Sequence, residues 1–389
     1  MQFDRPILIV GAGIAGLTTA LSLAKRGIAS RIVERARALE EVGAGLQLSP
    51  NALRVMRDLG LLTSLETAGV KARSVFLKDA RSSRTLARVP VEASDGTPYL
   101  SIHRADLQRV LYEAAQREAA IQLDLGCELT SLQPIDTGLL LAMRTTHSET
   151  KSIETDLLIA ADGVRSQVAA NASLAPAKPS GMIAWRGRIE MGNASSEIAT
   201  ATSSITAFLD RDRHAVAYPI AAGRQINLVL IEGDRAQPGE TSALASRFSP
   251  SGSDLSRLIH ASGSFTPWPL SVTPEDRPWR LFDDRALLVG DAAHGMLPFA
   301  AQGAAMAIED AAVLAHALAM QPDRASALAA YETARRPRVD RVRRRAGFHR
   351  FVYHLPRPFS FGRDLVMALS PADRLRASLA WLYDWTPPA

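Results

Sequence analysis

The chain contains a single cysteine, few aromatic residues and no long uncharged apolar run. Cys127 is alone among 389 residues, which excludes an internal disulfide framework and the usual cysteine-based metal sites. Apolar runs are interrupted by charge before the roughly 18–20 residues needed to cross a bilayer. Met1 to Pro6 is too short and too polar for a secretory signal. These absences predict a soluble cytoplasmic protein without a metal site or a stable membrane association.

The excess of positive charge is small. Lys and Arg number 45 against 40 Asp and Glu, a net charge of +5 that mildly favours anionic ligands. The segment from Arg335 to Arg345 is dense in arginine, but Pro337 and Asp340 interrupt it and no aromatic residues are interleaved. We therefore predict a solvated or anion-facing helix there, and no nucleic-acid partner.

The N-terminal segment has the most specific local pattern. The apolar run Ile7 to Val10 predicts a buried strand, and Gly11-Ala12-Gly13-Ile14-Ala15-Gly16 follows it and opens a helix. A second strand, Ser30 to Val33, ends at Glu34, about 20 residues further on. Strand, glycine turn, helix, strand and acidic residue together form the dinucleotide-binding fingerprint.

Each position of this fingerprint has a physical role. Gly11 allows the tight turn, and Gly13 lets the backbone approach a pyrophosphate. Gly16 lets the helix pack closely on the strand, and Glu34 accepts hydrogen bonds from the adenosine ribose. Ala15 lies in the same turn and is counted among the cofactor-binding residues.

A second segment, far away in sequence, predicts the other half of the same site. Leu287 to Val289 is typical of a buried strand and ends at Gly290-Asp291. After a loop with Pro298, Gln302-Gly303-Ala304 begins a helix whose small residues leave backbone N–H groups and the positive end of the dipole open to a ligand. Another buried strand ends at Asp162-Gly163, and ligands collect at the carboxyl ends of strands in a doubly wound sheet.

The order of these patterns predicts an α/β protein with a dinucleotide-binding (Rossmann-like) domain, an inserted β-sheet substrate domain and a helical C-terminus. Helical patterns cover Ala304 to Met320, Ala325 to Arg350 and Phe361 to Tyr383. The predicted boundaries are 1–74, 101–172 and 276–345 for the three parts of the dinucleotide-binding domain, 75–100 and 173–275 for the substrate domain, and 346–389 for the C-terminal helical segment.

The motifs together cover nearly the whole chain. They are Gly11–Gly16 with Glu34, Gly43-Ala44-Gly45-Leu46-Gln47, His103-Arg104 with Gln108, Asp162-Gly163, Trp185-Arg186-Gly187, His214 with Tyr218-Pro219, Gly290-Asp291 through Gln302-Gly303, and Trp381 to Trp385. With this set the sequence resembles the single-component FAD-dependent aromatic hydroxylases, in particular the salicylate hydroxylase-like branch that includes 3-hydroxybenzoate hydroxylases. The resemblance implies one FAD site and no separate nicotinamide-binding domain.

The resemblance also implies contacts for the cofactor. Glu34 and Arg35 would hold the adenosine end, and Arg104 and Gln108 would hold the pyrophosphate and ribityl region. Asp162 would bridge the FAD and nicotinamide sides, and Asp291 would hold the ribityl hydroxyls. The other cofactor-binding residues are Gly45, Gly290, Gly303 and Ala304. Residues 302 to 304 would face the pyrimidine edge of the flavin. The family often has Asn where this chain has Ala305.

In enzymes of this kind NADH or NADPH reduces the flavin, O2 adds at its C4a carbon, and the resulting hydroperoxide hydroxylates a small aromatic ring. A phenol reacts after losing its proton, so a base must lie within hydrogen-bond reach. The resemblance implies His214 as that base and Gln302 as its orienting partner. Tyr218, four residues from His214, would face the same pocket. The resemblance also places Gln47 among the substrate-binding residues. It implies that Arg186 binds a substrate carboxylate and that Pro298 offers its carbonyl to the peroxide oxygen.

Each assignment has a structural alternative. His214 is also compatible with an exposed strand face, Tyr218 with a pocket wall, Arg186 with an ion pair in the sheet, and Pro298 with a loop that only sets the following helix. For the whole protein, the alternatives are an epoxidase or oxidative decarboxylase of a larger apolar molecule, and a flavin-binding sensor without efficient monooxygenation. We expect a monomer or a homodimer.

Overall fold

A six-stranded, mostly parallel sheet lies at the centre of the molecule. The computed structural model describes residues 3–39, 44–146, 148–193, 204–234, 241–356 and 358–389. The short apolar strands of this sheet are buried in one core cluster with the helices Ile14–Lys25 and Gly303–Met320, which pack against each other. The strands lie in the order Arg280–Leu281, Ala286–Leu288, Leu158–Ala160, Ile7–Val10, Ser30–Glu34 and Ile121–Leu125.

A seven-stranded sheet joins two separate stretches of the chain. Ile205–Asp210 pairs in parallel with Ser74–Asp79, so strands from the two stretches predicted to form the substrate domain share one sheet. The strands lie in the order Thr266–Val272, Lys178–Glu190, Gln225–Gly233, Arg213–Ile220, Ile205–Asp210, Ser74–Asp79 and Thr85–Pro90.

The two faces of this sheet have different neighbours. On one face, Phe208, Leu228 and Leu230 pack in a cluster with residues of two helices that the sequence did not predict, Thr241–Phe248 and Asp254–Ser262. The alternate residues of the same strands point the other way and line a large cavity. The inserted sheet therefore separates its own small core from the cavity.

Two three-stranded sheets complete the β-structure. One consists of Cys127–Ile135, Gly138–Thr145 and Thr150–Thr155. The other consists of Gly45–Leu48, Tyr99–His103 and Val70–Ala72, so part of the Gly43-Ala44-Gly45-Leu46-Gln47 motif is a strand. Gly43 of that motif lies outside the described residues.

The predicted fold class is confirmed. Some of the remaining helices begin or end at other residues than predicted. The predicted helix from Phe361 to Tyr383 is three helices, and Pro371 lies at the first of the two breaks between them. The other helices are Pro50–Asp58, Leu62–Ala68, Arg104–Arg117, Gln167–Asn171, Asp291–His294 and the long Arg324–Tyr353; the C-terminal three are Phe359–Leu369, Ala372–Ala377 and Ala380–Tyr383.

Within the described ranges, one helix is long and apolar enough to cross a membrane by length and composition alone. It is Gly303–Met320, and 61% of it is buried inside the protein. Its neighbour across the core is Ile14–Lys25. The apolar character of this helix therefore reflects its position between other elements of the core.

Candidate active site

One cavity of about 900 Å³ connects the carboxyl ends of the central strands with the inner face of the seven-stranded sheet. Most of the predicted site residues line it, although the most distant of them, Gly11 and Ala304, are 293 positions apart in sequence. Those lining it are Gly11, Gly13, Ala15, Glu34, Arg35, Gly45, Gln47, Arg104, Asp162, Arg186, His214, Tyr218, Asp291, Pro298, Gly303 and Ala304. Gly16, Gln108, Gly290 and Gln302 are not among the lining residues of the described chain.

The glycine turn after the first strand has the geometry its sequence predicts. Gly11 has a φ of +104°, and a Cβ there would lie 2.6 Å from the carbonyl oxygen of Ala161. A Cβ on Gly16 would lie 1.9 Å from the carbonyl oxygen of Gly11. Gly13 differs, since a Cβ there would meet no atom within 4 Å among the described residues and would enter the cavity instead. Gly11 and Gly16 thus permit close packing, and Gly13 leaves space for a ligand.

Two polar side chains form hydrogen bonds with the backbone of this turn. Both carboxylate oxygens of Glu34 accept backbone hydrogen bonds, from Ala12 at 2.8 Å and from Ala36 at 2.9 Å. Nε2 of Gln108 donates to the carbonyl oxygen of Ala12 at 3.0 Å. Glu34 lines the cavity, and Gln108 bonds to the loop; the contact of Gln108 with the cofactor stays a prediction.

Two helix N-termini point at the same cavity. In the described structure, no side chain caps the first turn of Ile14–Lys25 or of Gly303–Met320. Their N–H groups, with the positive ends of the two helix dipoles, remain available to an anionic or electron-rich group. The cavity thus has two such binding positions, one at each end of the predicted cofactor site.

Two carboxylates lie between these helices. Asp291 is exposed in the cavity wall. Oδ2 of Asp162 accepts from the backbone N–H groups of Gln167 and Val168, while Oδ1 is buried and has no partner among the described residues. Burial raises the pKa of Asp162. A buried oxygen without a partner is the position that a ligand hydroxyl would satisfy.

The inserted sheet supplies three polar side chains to the far end of the cavity. His214 and Tyr218 share one strand face and are only 2% and 5% exposed, which excludes the alternative of an exposed strand face. Arg186 lies two strands away and its guanidinium sits 4.5 Å from the ring centroid of Trp268. Val216 and Val229 separate these polar groups with apolar surface.

Burial sets the protonation of these groups. Burial, and then the neighbouring His354, lower the pKa of His214 well below its ordinary value, so its imidazole is neutral at pH 7. Burial raises the pKa of Tyr218, against the opposing effect of Arg186, so its phenol keeps its proton. At neutral pH the site therefore presents a neutral imidazole, a protonated phenol and a guanidinium.

Gln302 does not share the cavity with His214. Its Nε2 donates to Oγ of Ser49 at 2.9 Å, and its side chain is 1% exposed. The reason is local: Ala301 adopts a left-handed conformation (φ +51°), and Gln302 then begins the helix with its amide turned toward Pro50–Asp58. The prediction that Gln302 orients a ligand beside His214 is corrected accordingly. Ala305 is fully buried and is likewise not among the described lining residues.

A buried ionic network that the sequence reasoning missed supports the Gly290-Asp291 turn. Asp310 accepts hydrogen bonds from the backbone N–H of Gly290 at 3.0 Å and from Nε2 of His294. Arg335 is 1% exposed and donates to Asp310 at 2.8 Å and to Glu309. Of the two predicted environments, solvated or anion-facing, Arg335 has the second, and the anions are buried carboxylates of the protein itself. Two adjacent acids in an otherwise apolar helix were the available signal, since buried carboxylates require a buried cation.

The local chemistry of the cavity fits an FAD molecule. The open space at Gly13 and the uncapped first turn of Ile14–Lys25 suit a pyrophosphate, and Glu34 suits the adenosine ribose. A family model described as an FAD binding domain matches residues 4–346. The chain belongs to this family.

The curated relatives of this flavoprotein are monooxygenases and hydroxylases. It is 34% identical over 396 residues to 3-amino-4-hydroxybenzoate 2-monooxygenase of Streptomyces cremeus, covering 98% of this chain and 96% of the relative. It is 32% identical over 391 residues to 3-hydroxybenzoate 6-hydroxylase 1 of Aquipseudomonas alcaligenes, covering 97% of each. A salicylate hydroxylase solved with its substrate has the same fold, with a TM-score of 0.78, 23% identity and coverage of 98% of this chain and 95% of that one.

These comparisons confirm the predicted family, fold class, cofactor and type of enzyme. The flavoprotein is an FAD-dependent aromatic monooxygenase that uses NAD(P)H and O2. They favour this function over the epoxidase and sensor alternatives. Substitutions in the glycine turn test directly whether individual residues of this turn bind the cofactor.

Gly16→Ala and Gly13→Ala are expected to separate folding from cofactor binding. The Gly16 methyl group would collide with the Gly11 carbonyl oxygen, so we expect this variant to lose about 1–3 kcal/mol of stability and its FAD. The Gly13 methyl group would meet no described atom, so this variant should unfold at the wild-type urea concentration without FAD and yet bind FAD weakly. Urea denaturation of both apoproteins and fluorescence titration with FAD give the two readouts. Wild-type FAD affinity in Gly13→Ala would mean that the pyrophosphate lies elsewhere.

Proposed function

We propose that this monooxygenase hydroxylates a phenolic carboxylic acid of the hydroxybenzoate type. The observation that carries the proposal is that two strands of one sheet present Arg186, His214 and Tyr218 to one end of the cavity, with Pro298 and Gly303 on its wall. Two curated relatives act on a hydroxybenzoate and an amino-hydroxybenzoate, which is the same class of molecule.

Each polar group suits one part of such a substrate. The guanidinium of Arg186 can bind a carboxylate through two parallel N–H···O bonds. The neutral imidazole of His214 can accept the phenolic proton, and the phenol of Tyr218 can donate a hydrogen bond to the oxygen. The FAD, when bound, supplies the oxygen-transfer chemistry; the protein orients the ring and excludes water with apolar residues such as Val216 and Val229.

We assign the predicted cofactor residues to parts of FAD on the same basis. The order of the central strands supports the assignment, because the strands that end near Glu34, Gly11, Asp162 and Asp291 are neighbours in the sheet in that order. Glu34 and Arg35 would hold the adenosine; Gly11, Gly13, Ala15 and Arg104 the pyrophosphate; Asp162 and Asp291 the ribityl region; and Gly45, Gln47, Pro298, Gly303 and Ala304 the flavin and its substrate side. Gly303 would place its helix N-terminus against the pyrimidine edge, where it favours the anionic reduced flavin.

The proposal extends to the location, partners, oligomeric state and reductant of the enzyme. We propose a cytoplasmic enzyme without nucleic-acid or membrane partners, acting as a monomer or homodimer and taking either NADH or NADPH. The division of the chain at 74, 100, 172, 275 and 345 is proposed likewise, since the seven-stranded sheet uses strands from both predicted substrate segments.

The deciding experiment measures NAD(P)H oxidation by the FAD-loaded protein against hydroxybenzoates and hydroxypyridines, with peroxide assayed in parallel. We expect a hydroxybenzoate to accelerate oxidation many-fold and to yield a hydroxylated product with little peroxide. Acceleration with peroxide alone would identify a poorly fitting effector. No acceleration by any carboxylated phenol would contradict the proposed substrate class.

Arg186→Met is expected to raise KM for a carboxylated phenol by about 10–100-fold, because a hydrogen bond to a charged group contributes about 1.5–3 kcal/mol. The same phenol without its carboxylate is the matched control, and its KM should change by less than about 3-fold. Steady-state kinetics of both substrates, with KM for NADH as an internal reference, make the comparison. An equal rise of KM for both phenols would show that Arg186 shapes the cavity and does not bind the carboxylate.

A further inference from the structure

His214 is bonded to a second imidazole that lies behind the cavity wall. Its Nδ1 is 2.9 Å from Nε2 of His354, and the two ring centroids are 5.1 Å apart. His354 follows the last turn of Arg324–Tyr353, is half-buried, and is not among the lining residues of the described chain. The pair therefore leads from the cavity wall toward the surface of the protein.

This bond determines which nitrogen of His214 remains for a ligand. Because Nδ1 contacts His354, the remaining nitrogen is Nε2, which has no protein hydrogen bond within the described residues. Two neutral imidazoles in contact share one proton, so one ring donates and the other accepts. When His214 donates from Nδ1, its Nε2 is unprotonated and can accept a proton from a substrate hydroxyl.

The surroundings fix both rings in place. The ring of Phe299 lies 4.9 Å from that of His214 and 5.5 Å from that of His354, and the ring of Tyr353 lies 5.6 Å from that of His214. Phe299 also follows Pro298, which lines the flavin side of the cavity. The orientation of the pair is therefore tied to the wall against which the substrate must lie.

A proton accepted by His214 cannot remain there. Burial and the adjacent His354 lower the pKa of His214 well below its ordinary value, so an imidazolium at this position is strongly disfavoured. Burial lowers the pKa of His354 to about 4, and the nearby cations Arg350, Arg213 and Arg363 act in the same direction against the single anion Asp212. The charge must therefore leave both rings as the substrate is deprotonated.

We propose that His354 is a positioning residue that relays the substrate proton from His214 to solvent. The substrate O–H breaks as Nε2 of His214 gains its proton, the proton on Nδ1 of His214 passes to Nε2 of His354, and the proton on Nδ1 of His354 passes to water. The negative charge stays on the substrate oxygen, and neither ring becomes an imidazolium. The reverse movement reprotonates the product oxygen and restores both tautomers. This inference depends on the proposed function, in which the phenol faces His214.

Two variants of His354 separate a relay from a merely structural contact. A glutamine at this position, His354→Gln, can keep one hydrogen bond to His214 but cannot pass a proton through. His354→Ala removes the ring and leaves space for exogenous imidazole. His260→Ala is the matched control, since His260 bonds to the carbonyl oxygen of Ser256 in its own helix, away from the cavity.

For His354→Gln we expect kcat for the hydroxylated product to fall by about 10-fold or more with KM within about 2-fold, within the range of acid–base effects. For His354→Ala we expect a similar fall, a kcat that rises with pH as solvent base replaces the relay, and recovery by several-fold with exogenous imidazole. His260→Ala should match the wild type with and without imidazole. A wild-type kcat in His354→Gln would overturn the proposal, and so would a lack of recovery of His354→Ala by imidazole. If His354→Ala does not retain FAD, the kcat of His354→Gln by itself decides whether the proposal stands.

A substrate-free measurement keeps this test separate from the proposed function. In ¹⁵N-histidine NMR spectra of the FAD-loaded protein, assigned with His214→Gln and His354→Gln, we expect neutral His214 with its proton on Nδ1. A proton on Nε2 of His214, with His354 donating, would overturn the relay in the resting enzyme. The expected tautomer together with no turnover of any carboxylated phenol would count against the proposed substrate class alone.

Discussion

Arg335→Met is expected to lower the free energy of unfolding by about 3–5 kcal/mol, because it removes a buried cation that pairs with both Glu309 and Asp310. Arg335 donates to both Glu309 and Asp310, and these acids are completely buried. Burial by itself raises the pKa of Asp310, but attraction to His294 and Arg335 outweighs it and holds that pKa below its usual range. Without Arg335, the remaining ion-pair partner of Asp310 in the described structure is His294, and that of Glu309 is Arg338.

The same change should weaken FAD binding as well as stability. Asp310 accepts from the backbone N–H of Gly290, so it positions the turn that presents Asp291 to the cavity. Urea denaturation of the apoprotein and fluorescence titration with FAD measure the two effects. Arg344→Met is the control, since Arg344 is exposed on the same helix and should change stability by less than about 0.5 kcal/mol. A stability loss no larger than that of the control would show that the network contributes little.

His214→Gln is expected to lower kcat for the hydroxylated product by about 10²–10⁴-fold, the usual contribution of a positioned base. Gln can still fill the space beside Phe299, but it cannot accept a proton from a phenol. We expect NAD(P)H oxidation to continue with peroxide as its product, since the flavin site is separate from His214. Parallel assays of product, peroxide and NAD(P)H measure this change in coupling.

A more acidic phenol provides the control for this interpretation. Such a substrate is already ionised at the assay pH, so the difference between wild type and His214→Gln should shrink with it. A structural role of His214 in shaping the cavity would reduce turnover of both phenols equally. Retention of wild-type product formation in His214→Gln with both phenols would exclude a base at this position.

Local patterns predicted the FAD end of the site well, because the forces that shape it act over a few residues. The left-handed Gly11 and the close approach of Gly16 to its carbonyl are properties of one turn and one helix. The alternation of His214, Val216 and Tyr218 likewise placed them on one strand face, which lines the cavity. In both cases the spacing of the residues along the chain directly sets where they lie in the structure.

Side-chain directions at element ends were harder to predict. Gln302 was expected beside His214, yet Ala301 turns the chain so that the amide reaches Ser49. Gln108 was expected at the ligand, and in the structure it bonds to the carbonyl oxygen of Ala12. In both cases the preferred partner belongs to an element distant in sequence, and only packing brings that partner within hydrogen-bond distance.

The amino-acid sequence by itself determined the class of fold, because turns, strand ends and helix starts have short-range steric requirements, and the resemblance of its motif set to a known family implied the cofactor and the type of enzyme. Tertiary structure alone decided that Arg335 is a buried counter-ion to Glu309 and Asp310, and that His354 meets His214. Both contacts join the long helix Arg324–Tyr353 or its end to distant segments. Buried charges and paired imidazoles depend on which groups share a water-free interior, and no local pattern specifies that.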